Sequence, residues 1–117
     1  MKIIQSFKYA CAGLTTFFRR ERNGKIQLAM AMLTVTAGLA LHLSINKWIA
    51  ILVCISMVLS MEMINTAIEK LCNFVHPDEH PEIKIVKDIA AGAVLLAAVV
   101  SLFIGILIFL PAIISLF

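Results

Sequence analysis

Charged residues are scarce in this sequence. Asp, Glu, Lys and Arg make up 15% of the 117 residues, 62% are hydrophobic, and the mean hydropathy is +1.01. Soluble globular proteins have about 25% charged and 45–50% apolar residues. The composition therefore excludes an ordinary soluble domain and predicts a small integral membrane protein. Because a few short helices enclose little interior, association between copies of the chain is also expected.

The phosphate-binding loops of soluble nucleotide enzymes are absent as well. Neither a GxxxxGKS/T nor a GxGxxG pattern occurs, and the five glycines are scattered. A nucleotide would therefore have to be held by side chains and a metal ion. Phosphoryl transfer needs little more than cations, carboxylates that hold Mg²⁺, and a base near the attacking hydroxyl.

The three cysteines, Cys11, Cys54 and Cys72, do not have metal-type spacing. No disulfide is expected either, because two of them are predicted near the cytoplasmic face and the third within the membrane.

Residues 1–20 have the period of an amphipathic helix. A cleaved signal peptide is the alternative, but Gln5, Ser6 and Lys8 interrupt the apolar run and no small-residue cleavage pattern follows. We therefore predict a helix that lies on the membrane surface. Its apolar face is formed by Ile3, Ile4, Phe7, Cys11, Leu14 and Phe18.

Three hydrophobic segments follow the surface helix. The predicted fold is an all-α membrane protein that forms one domain, residues 1–117, with an N-terminal amphipathic surface helix and three transmembrane helices. The second helix is expected to continue to about Val75, before Pro77 and Pro81, and Pro111 to end the third. The predicted segments are 1–25 for the surface helix and basic segment, 26–43, 48–68 and 89–110 for the crossings, and 69–88 for a cytoplasmic helix extension and loop.

Lys and Arg are concentrated before the first predicted crossing and between the second and third. Such residues favour the cytoplasmic side of a membrane. The sequence therefore predicts a multi-pass protein of the cytoplasmic (inner) membrane with its amino terminus in the cytoplasm.

Four polar residues share one face of the second hydrophobic helix. From Glu62, the steps to Asn65, Glu69 and Asn73 advance by roughly 300°, 700° and 1100°, which confines them to an arc of about 80°. An ionisable group at membrane depth is costly and points to function. A carboxyl hydrogen-bonded to a neighbouring helix is the structural alternative for Glu62. The shared face favours the active site of an enzyme that acts on lipid at the membrane surface.

Other polar residues allow simpler interpretations. Glu21 lies within the basic segment 19–25, where a local ion pair would explain it. His76 and His80 suggest zinc only weakly without a third ligand at suitable spacing, so loop polarity is favoured. A stripe of small residues on the third helix would let another helix approach closely. The stripe consists of Ala93, Ala97, Ser101 and Gly105.

Several motifs resemble those of the small prokaryotic diacylglycerol kinase and undecaprenol kinase family. They are Glu62-x-x-Asn65-Thr-Ala-Ile-Glu69, His80, Lys87-Asp88-x-Ala90-Ala-Gly-Ala-Val94, Ser6-Phe7-Lys8-Tyr9-Ala10-x-x-Gly13-Leu14 and Glu21-Arg22-Asn23. The resemblance covers nearly the whole chain. It implies a homotrimeric bundle in which each subunit phosphorylates a membrane lipid alcohol with ATP and Mg²⁺. The implied partners are the lipid alcohol, ATP and the membrane, with no nucleic acid.

The resemblance also implies roles for individual residues. Glu62 matches the general base, and Glu21 and Glu69 match the metal-binding carboxylates. The positions that match the nucleotide site are Asn65, Asn73, Lys87 and Asp88, of which Lys87 contacts phosphate.

Two positions depart from the family's pattern. Asn73 stands where many members have aspartate, and Gly24 interrupts a stretch that is commonly bulkier. The loss of a formal charge at Asn73 predicts an altered nucleotide or metal dependence.

The residues of the motifs are closer to those of undecaprenol kinases than to those of diacylglycerol kinases. Undecaprenol is therefore preferred over diacylglycerol as the lipid.

Two other classes of protein fit less well. A small multidrug-type transporter would need four crossings and a glutamate in its first helix. A structural membrane subunit would leave the clustered acids unexplained. A lipid kinase is therefore the favoured function.

Overall fold

The computed structural model describes residues 1–117 and contains four α-helices joined by short connections. The helices are α1 (Lys2–Arg20), α2 (Arg22–Ala40), α3 (Ile45–Val75) and α4 (Pro81–Ile114). No residue is in a strand, which confirms the predicted all-α class. The predicted helix at residues 1–20 corresponds to α1.

Helices α3 and α4 are long and apolar enough to cross a membrane. With 31 and 34 residues, they are about 46 and 51 Å long, and a bilayer's hydrocarbon core is about 30 Å thick. Both helices therefore extend beyond the apolar layer. Helix α2 has 19 residues, which is long enough, but it is not apolar enough over that length because it begins with a basic turn. It ends at Ala40, so residues 41–43 of the predicted first crossing lie in the following turn. A crossing by α2 stays a prediction.

A tight turn connects α2 to α3. His42 adopts a left-handed backbone conformation there, with φ of 53°. On the α2 side of the turn, Gly38 is buried beneath the ring of Trp48, and a Cβ at this glycine would lie 2.8 Å from the ring. The glycine therefore allows Trp48, in the first turn of α3, to close the hairpin.

Helix α3 ends at Val75, as predicted from the prolines that follow. The Nδ1 atom of His80 then caps α4 by accepting a hydrogen bond from the backbone N–H of Glu82 at 3.1 Å, and Pro81 occupies the first helical position. Proline suits that position, where its missing N–H is not needed.

The predicted end of the last helix at Pro111 is wrong, because α4 continues to Ile114. A proline lacks only its own N–H donor and clashes only with the turn before it. Its carbonyl still accepts a hydrogen bond from the N–H of Ser115 at 3.0 Å. The last turn of the helix is therefore kept.

The core of the subunit is thin. Only nine of the 117 residues are buried, and the molecule measures 55 × 40 × 21 Å. Helix α4 packs mainly against α3, α3 also contacts α2, and α2 contacts α1. Ala97 of the predicted small-residue stripe is among the buried residues. At Ala97 the stripe is therefore covered inside the subunit, whereas Ala93 is exposed.

A sharp corner joins α1 to α2 at Glu21, whose backbone is extended, with φ −91° and ψ 131°. Phe17 and Gly24 are buried against each other across this corner. A Cβ at Gly24 would collide with the carbonyl oxygen of Phe17 and lie 2.9 Å from its carbonyl carbon. Only glycine permits this approach. The residue that departs from the family's pattern thus helps set the position of Glu21.

Candidate active site

The polar stripe of α3 forms the centre of the site. Asn65 is buried, Glu62 is partly buried, and Glu69 is exposed. The Nδ2 atom of Asn65 donates a hydrogen bond to Oε1 of Glu69 at 3.3 Å. This bond joins residues one helical turn apart and sets the direction of the Glu69 carboxylate.

Two oxygen atoms of the stripe are buried and have no hydrogen-bond partner, Oε2 of Glu62 and Oδ1 of Asn65. The structural alternative for Glu62, a carboxyl bonded to a neighbouring helix, is therefore wrong for this subunit. Buried polar atoms are nearly always paired, and an unpaired one costs about 1–3 kcal/mol. The two free acceptors mark a place where a ligand would supply the missing donors or a cation.

Glu21 is tied to the stripe from outside α3. Its Oε1 atom lies 2.8 Å from Nζ of Lys70, the residue that directly follows Glu69. The simpler interpretation was an ion pair between Glu21 and the neighbouring basic residues 19–25. It is wrong, because Glu21 pairs with Lys70 of α3. Sequence reasoning missed Lys70. The sequence shows that a lysine follows Glu69. Its pairing with Glu21 depends on the corner between α1 and α2, which the sequence does not show.

Lys87 and Asn73 join α4 to α3. The Nζ atom of Lys87 donates a hydrogen bond to Oδ1 of Asn73 at 2.5 Å. Two residues predicted for nucleotide binding thus meet at the polar end of the helix pair. The amide accepts this bond without a formal charge, so the positive charge of Lys87 is not neutralised.

Asp88 is not joined to this cluster. Its Oδ2 atom pairs with Nζ of Lys84 at 2.6 Å, one turn earlier on α4 and ahead of the apolar run that begins at Ile89. The hydrogen bond and the negative charge of Asp88 raise the pKa of Lys84 above its ordinary value. The structure thus places five of the seven predicted residues on one face of α3 or in contact with it. Glu21 is paired with Lys70, next to Glu69, and Asp88 is paired with Lys84.

The residues present fit a magnesium ion that is shared with a nucleotide. No three His, Cys, Asp or Glu side chains form a complete metal cluster. Mg²⁺ usually keeps several waters and takes one or two carboxylates together with substrate phosphates. The exposed carboxylate of Glu69, the held carboxylate of Glu21 and the unpaired oxygens nearby are donors of this hard type.

The two loop histidines have other partners. Their ring centroids are 5.1 Å apart, but Nδ1 of His76 lies 2.8 Å from the carbonyl oxygen of Asp78, and Nδ1 of His80 caps α4. No third ligand joins them. The structure therefore gives His80 a capping role that the spacing of the motif did not indicate.

A narrow apolar groove between α3 and α4 reaches the site. Its volume is about 330 Å³, and Asn65 is its polar lining residue beside Ile68, Ala90 and Ala93. A larger groove of about 890 Å³ opens between α2, α3 and α4, and most of its lining is hydrophobic. The first of these offers an apolar chain a path that ends beside the stripe.

The fold and the site together define an all-helical membrane protein with carboxylates, amides and a lysine gathered at one end of its longest helices. The sequence matches the family described as "Prokaryotic diacylglycerol kinase" over residues 8–109. The chain therefore belongs to the prokaryotic diacylglycerol kinase family and is a lipid kinase.

Two curated relatives agree with this assignment. The chain is 40% identical over 110 residues to a protein of Bacillus subtilis named undecaprenol kinase, covering 94% of this chain and 89% of the relative. It is 35% identical over 115 residues to a protein of Synechocystis sp. named diacylglycerol kinase, covering 97% of this chain and 66% of the relative. Both similarities extend through the polar stripe.

Proposed function

We propose that the chain transfers the γ-phosphoryl group of ATP to the hydroxyl of a membrane lipid alcohol at the cytoplasmic membrane surface. The observation that carries this proposal is the unpaired, buried Oε2 atom of Glu62. It lies on the same helical face as Asn65 and Glu69, where the apolar part of α3 gives way to its polar end.

Glu62 acts as the general base in this proposal. Its Oε2 atom accepts the proton of the lipid hydroxyl, whose oxygen forms a bond to the γ-phosphorus. The bond from that phosphorus to the bridging oxygen then breaks, and ADP leaves with the electron pair. A base has to come within hydrogen-bond reach of the proton that it removes. An acceptor without a competing donor inside the protein meets that requirement.

Glu21 and Glu69 would hold Mg²⁺ together with the phosphates of ATP. When it is bound, the ion supplies positive charge that offsets the negative charge developing on the transferred group. Asn65 supports this role by keeping Oε1 of Glu69 in a fixed direction.

The nucleotide site is formed by Lys87, Asn73, Asn65 and Asp88. Lys87 would contact phosphate, and its hydrogen bond to Asn73 keeps it at the end of α3 that carries Glu69. Asp88 is exposed and bound to Lys84. To contact the nucleotide, Asp88 would have to break this ion pair, or Lys84 would have to move together with it.

Undecaprenol is the proposed lipid, in preference to diacylglycerol. Both present a primary hydroxyl at headgroup depth, and the groove beside Asn65 accepts an apolar chain of either kind. The relative named undecaprenol kinase has the higher identity of the two reported and is covered over more of its length. The preference for undecaprenol rests on this similarity and on the residues of the motifs.

The working form is proposed to be a homotrimer in the cytoplasmic (inner) membrane, with the amino terminus in the cytoplasm and α2 as the third crossing. A core of nine buried residues leaves most apolar side chains for lipid or for other copies to cover. The basic residues near the α1–α2 corner and the polar end of α3 lie on the same side through the Glu21–Lys70 pair. They fit the positive side of a membrane.

The decisive experiment is transfer of radiolabelled γ-phosphate from ATP by the purified protein in mixed micelles. Undecaprenol and diacylglycerol are presented together at equal mole fraction, because specificity is the ratio of the two kcat/KM values. We expect undecaprenyl phosphate as the main product. Predominant phosphatidic acid would overturn the lipid preference, and no labelled lipid would overturn the proposed function.

A further inference from the structure

The Glu21 carboxylate forms one ion pair, with Lys70. The Nζ–Oε1 distance is 2.8 Å. The other ion pair of the molecule, between Lys84 and Asp88, lies within one helix. Lys70 thus provides the sole ion pair between the corner of α1 and α2 and the helix that carries the polar stripe.

No second ion pair fixes this carboxylate. The backbone of Glu21 is extended and lies between two helices, so the direction of its side chain is not set by a helical backbone. Burial of Phe17 against Gly24 brings the two helices close together at the corner. Glu21 retains 24% of its side-chain exposure, and Lys70 retains 64%.

We infer that Lys70 is a positioning residue for the metal-binding carboxylate Glu21, an inference that rests on the proposed function. Lys70 binds one oxygen of Glu21 and leaves the second oxygen for a divalent cation, since a carboxylate accepts several partners at once. It thereby keeps Glu21 level with Glu69 before the nucleotide arrives. Part of the ordering that the metal site requires is then present in advance.

The test compares Lys70→Met with Lys70→Arg. Methionine keeps the length and apolar stem but removes the charge, whereas arginine preserves the pair. Lys47→Met is the matched control, because Lys47 is an exposed lysine on the opposite end of α3 with no ion pair. For each variant, the apparent Mg²⁺ constant for phosphoryl transfer is measured at fixed ATP. Amide hydrogen exchange of residues 17–25 is measured without nucleotide or metal.

We expect Lys70→Met to raise the apparent Mg²⁺ constant about two- to fivefold, the range that an exposed pair supports. The rate at saturating Mg²⁺ should stay close to that of the wild type. The N–H groups of Glu21 and Lys25 bond to Phe17 and Glu21, at the end of α1 and the start of α2. Their exchange should accelerate. Lys70→Arg and Lys47→Met should match the wild type in both measurements.

Three results would overturn the inference. Unchanged exchange and an unchanged Mg²⁺ titration would make Lys70 an ordinary surface lysine. Faster exchange with an unchanged titration would separate Glu21 from the metal. A shifted titration with unchanged exchange would mean that Lys70 acts through its charge and not by positioning. A wild-type protein without phosphoryl transfer would instead refute the proposed function, and the exchange data would still report on the pair.

Discussion

At the scale of single residues, the site depends on how few hydrogen bonds its acceptors make. Oε2 of Glu62 and Oδ1 of Asn65 are buried and unpaired, while Nδ2 of Asn65 is used to hold Glu69. The amide therefore orients one carboxylate and leaves an acceptor beside another. We propose that these acceptors bind a partner that brings a proton or positive charge, as a lipid hydroxyl and MgATP would.

Glu69→Gln tests the proposed role of the Glu69 carboxylate as a ligand of Mg²⁺. Glutamine keeps the volume of the side chain but removes the negative charge that a hard cation requires. We expect the apparent Mg²⁺ constant to rise about tenfold or more, with less change in the KM for lipid. Magnesium titrations at fixed ATP measure it, with Glu79→Gln in the exposed loop as the control. Identical titrations for the two variants would exclude Glu69 as a ligand.

Asn73→Asp tests whether the charge of Lys87 is left free for phosphate. A carboxylate at this position would pair with Nζ of Lys87, which now lies 2.5 Å from the amide oxygen. We expect the KM for ATP to rise about three- to tenfold while the KM for lipid stays constant. The same substitution in a Lys87→Met background should have a much smaller effect on ATP. Equal effects in both backgrounds would show that the two residues are not coupled.

At the scale of elements, the corner between α1 and α2 decides where Glu21 lies. The corner depends on Gly24, because a Cβ there would meet the backbone of Phe17 and not a movable side chain. The backbone has to shift if this contact is introduced. Any opening of the corner would move Glu21 away from Lys70 and from the end of α3 that carries Glu69.

Gly24→Ala tests this dependence on the corner. We expect a loss of about 1–3 kcal/mol of stability from the forced contact and a weakened response to Mg²⁺. Thermal inactivation in micelles and a Mg²⁺ titration measure the two effects. Gly13→Ala is the matched control, since nothing lies within 4 Å of a Cβ at that exposed position of α1. Equal behaviour of the two alanine variants would contradict the account of the corner.

The elements show what the sequence predicts and where it fails. The stripe on α3 and the end of that helix at Val75 follow from local rules, namely the helical period and the prolines. The Lys70–Glu21 pair and the Lys87–Asn73 bond depend on how helices meet, so residue spacing could not reveal them. Pro111 was misread because a proline near the end of a helix costs a single hydrogen bond.

At the scale of the whole molecule, a subunit with so thin a core needs its surroundings. The exposed apolar faces of α3 and α4 require lipid or other copies of the chain. Ala97 of the predicted small-residue stripe is buried within the subunit, in the helix that packs mainly against α3. A contact between copies of the chain at the rest of the stripe stays a prediction.

Ala97→Leu separates these two kinds of packing. Three additional carbon atoms in a buried position should push α3 and α4 apart and lower stability by about 1–3 kcal/mol. Because Lys87 and Asn73 lie on these two helices, the KM for ATP should rise as well. Thermal inactivation and the mass of the oligomer in detergent measure the outcome. Loss of the oligomer with unchanged thermal stability would assign Ala97 to the surface between subunits.

The central claim is that Glu62 removes the proton of the lipid hydroxyl, and Glu62→Gln tests it most directly. Single-turnover transfer of γ-phosphate from ATP to undecaprenol is measured in mixed micelles for the wild type and the variant. The amide keeps the shape of the side chain, so the oligomer and its affinity for ATP should be unchanged. Loss of a general base predicts a rate about 10²–10⁴-fold lower. A rate within threefold of the wild type would contradict the claim.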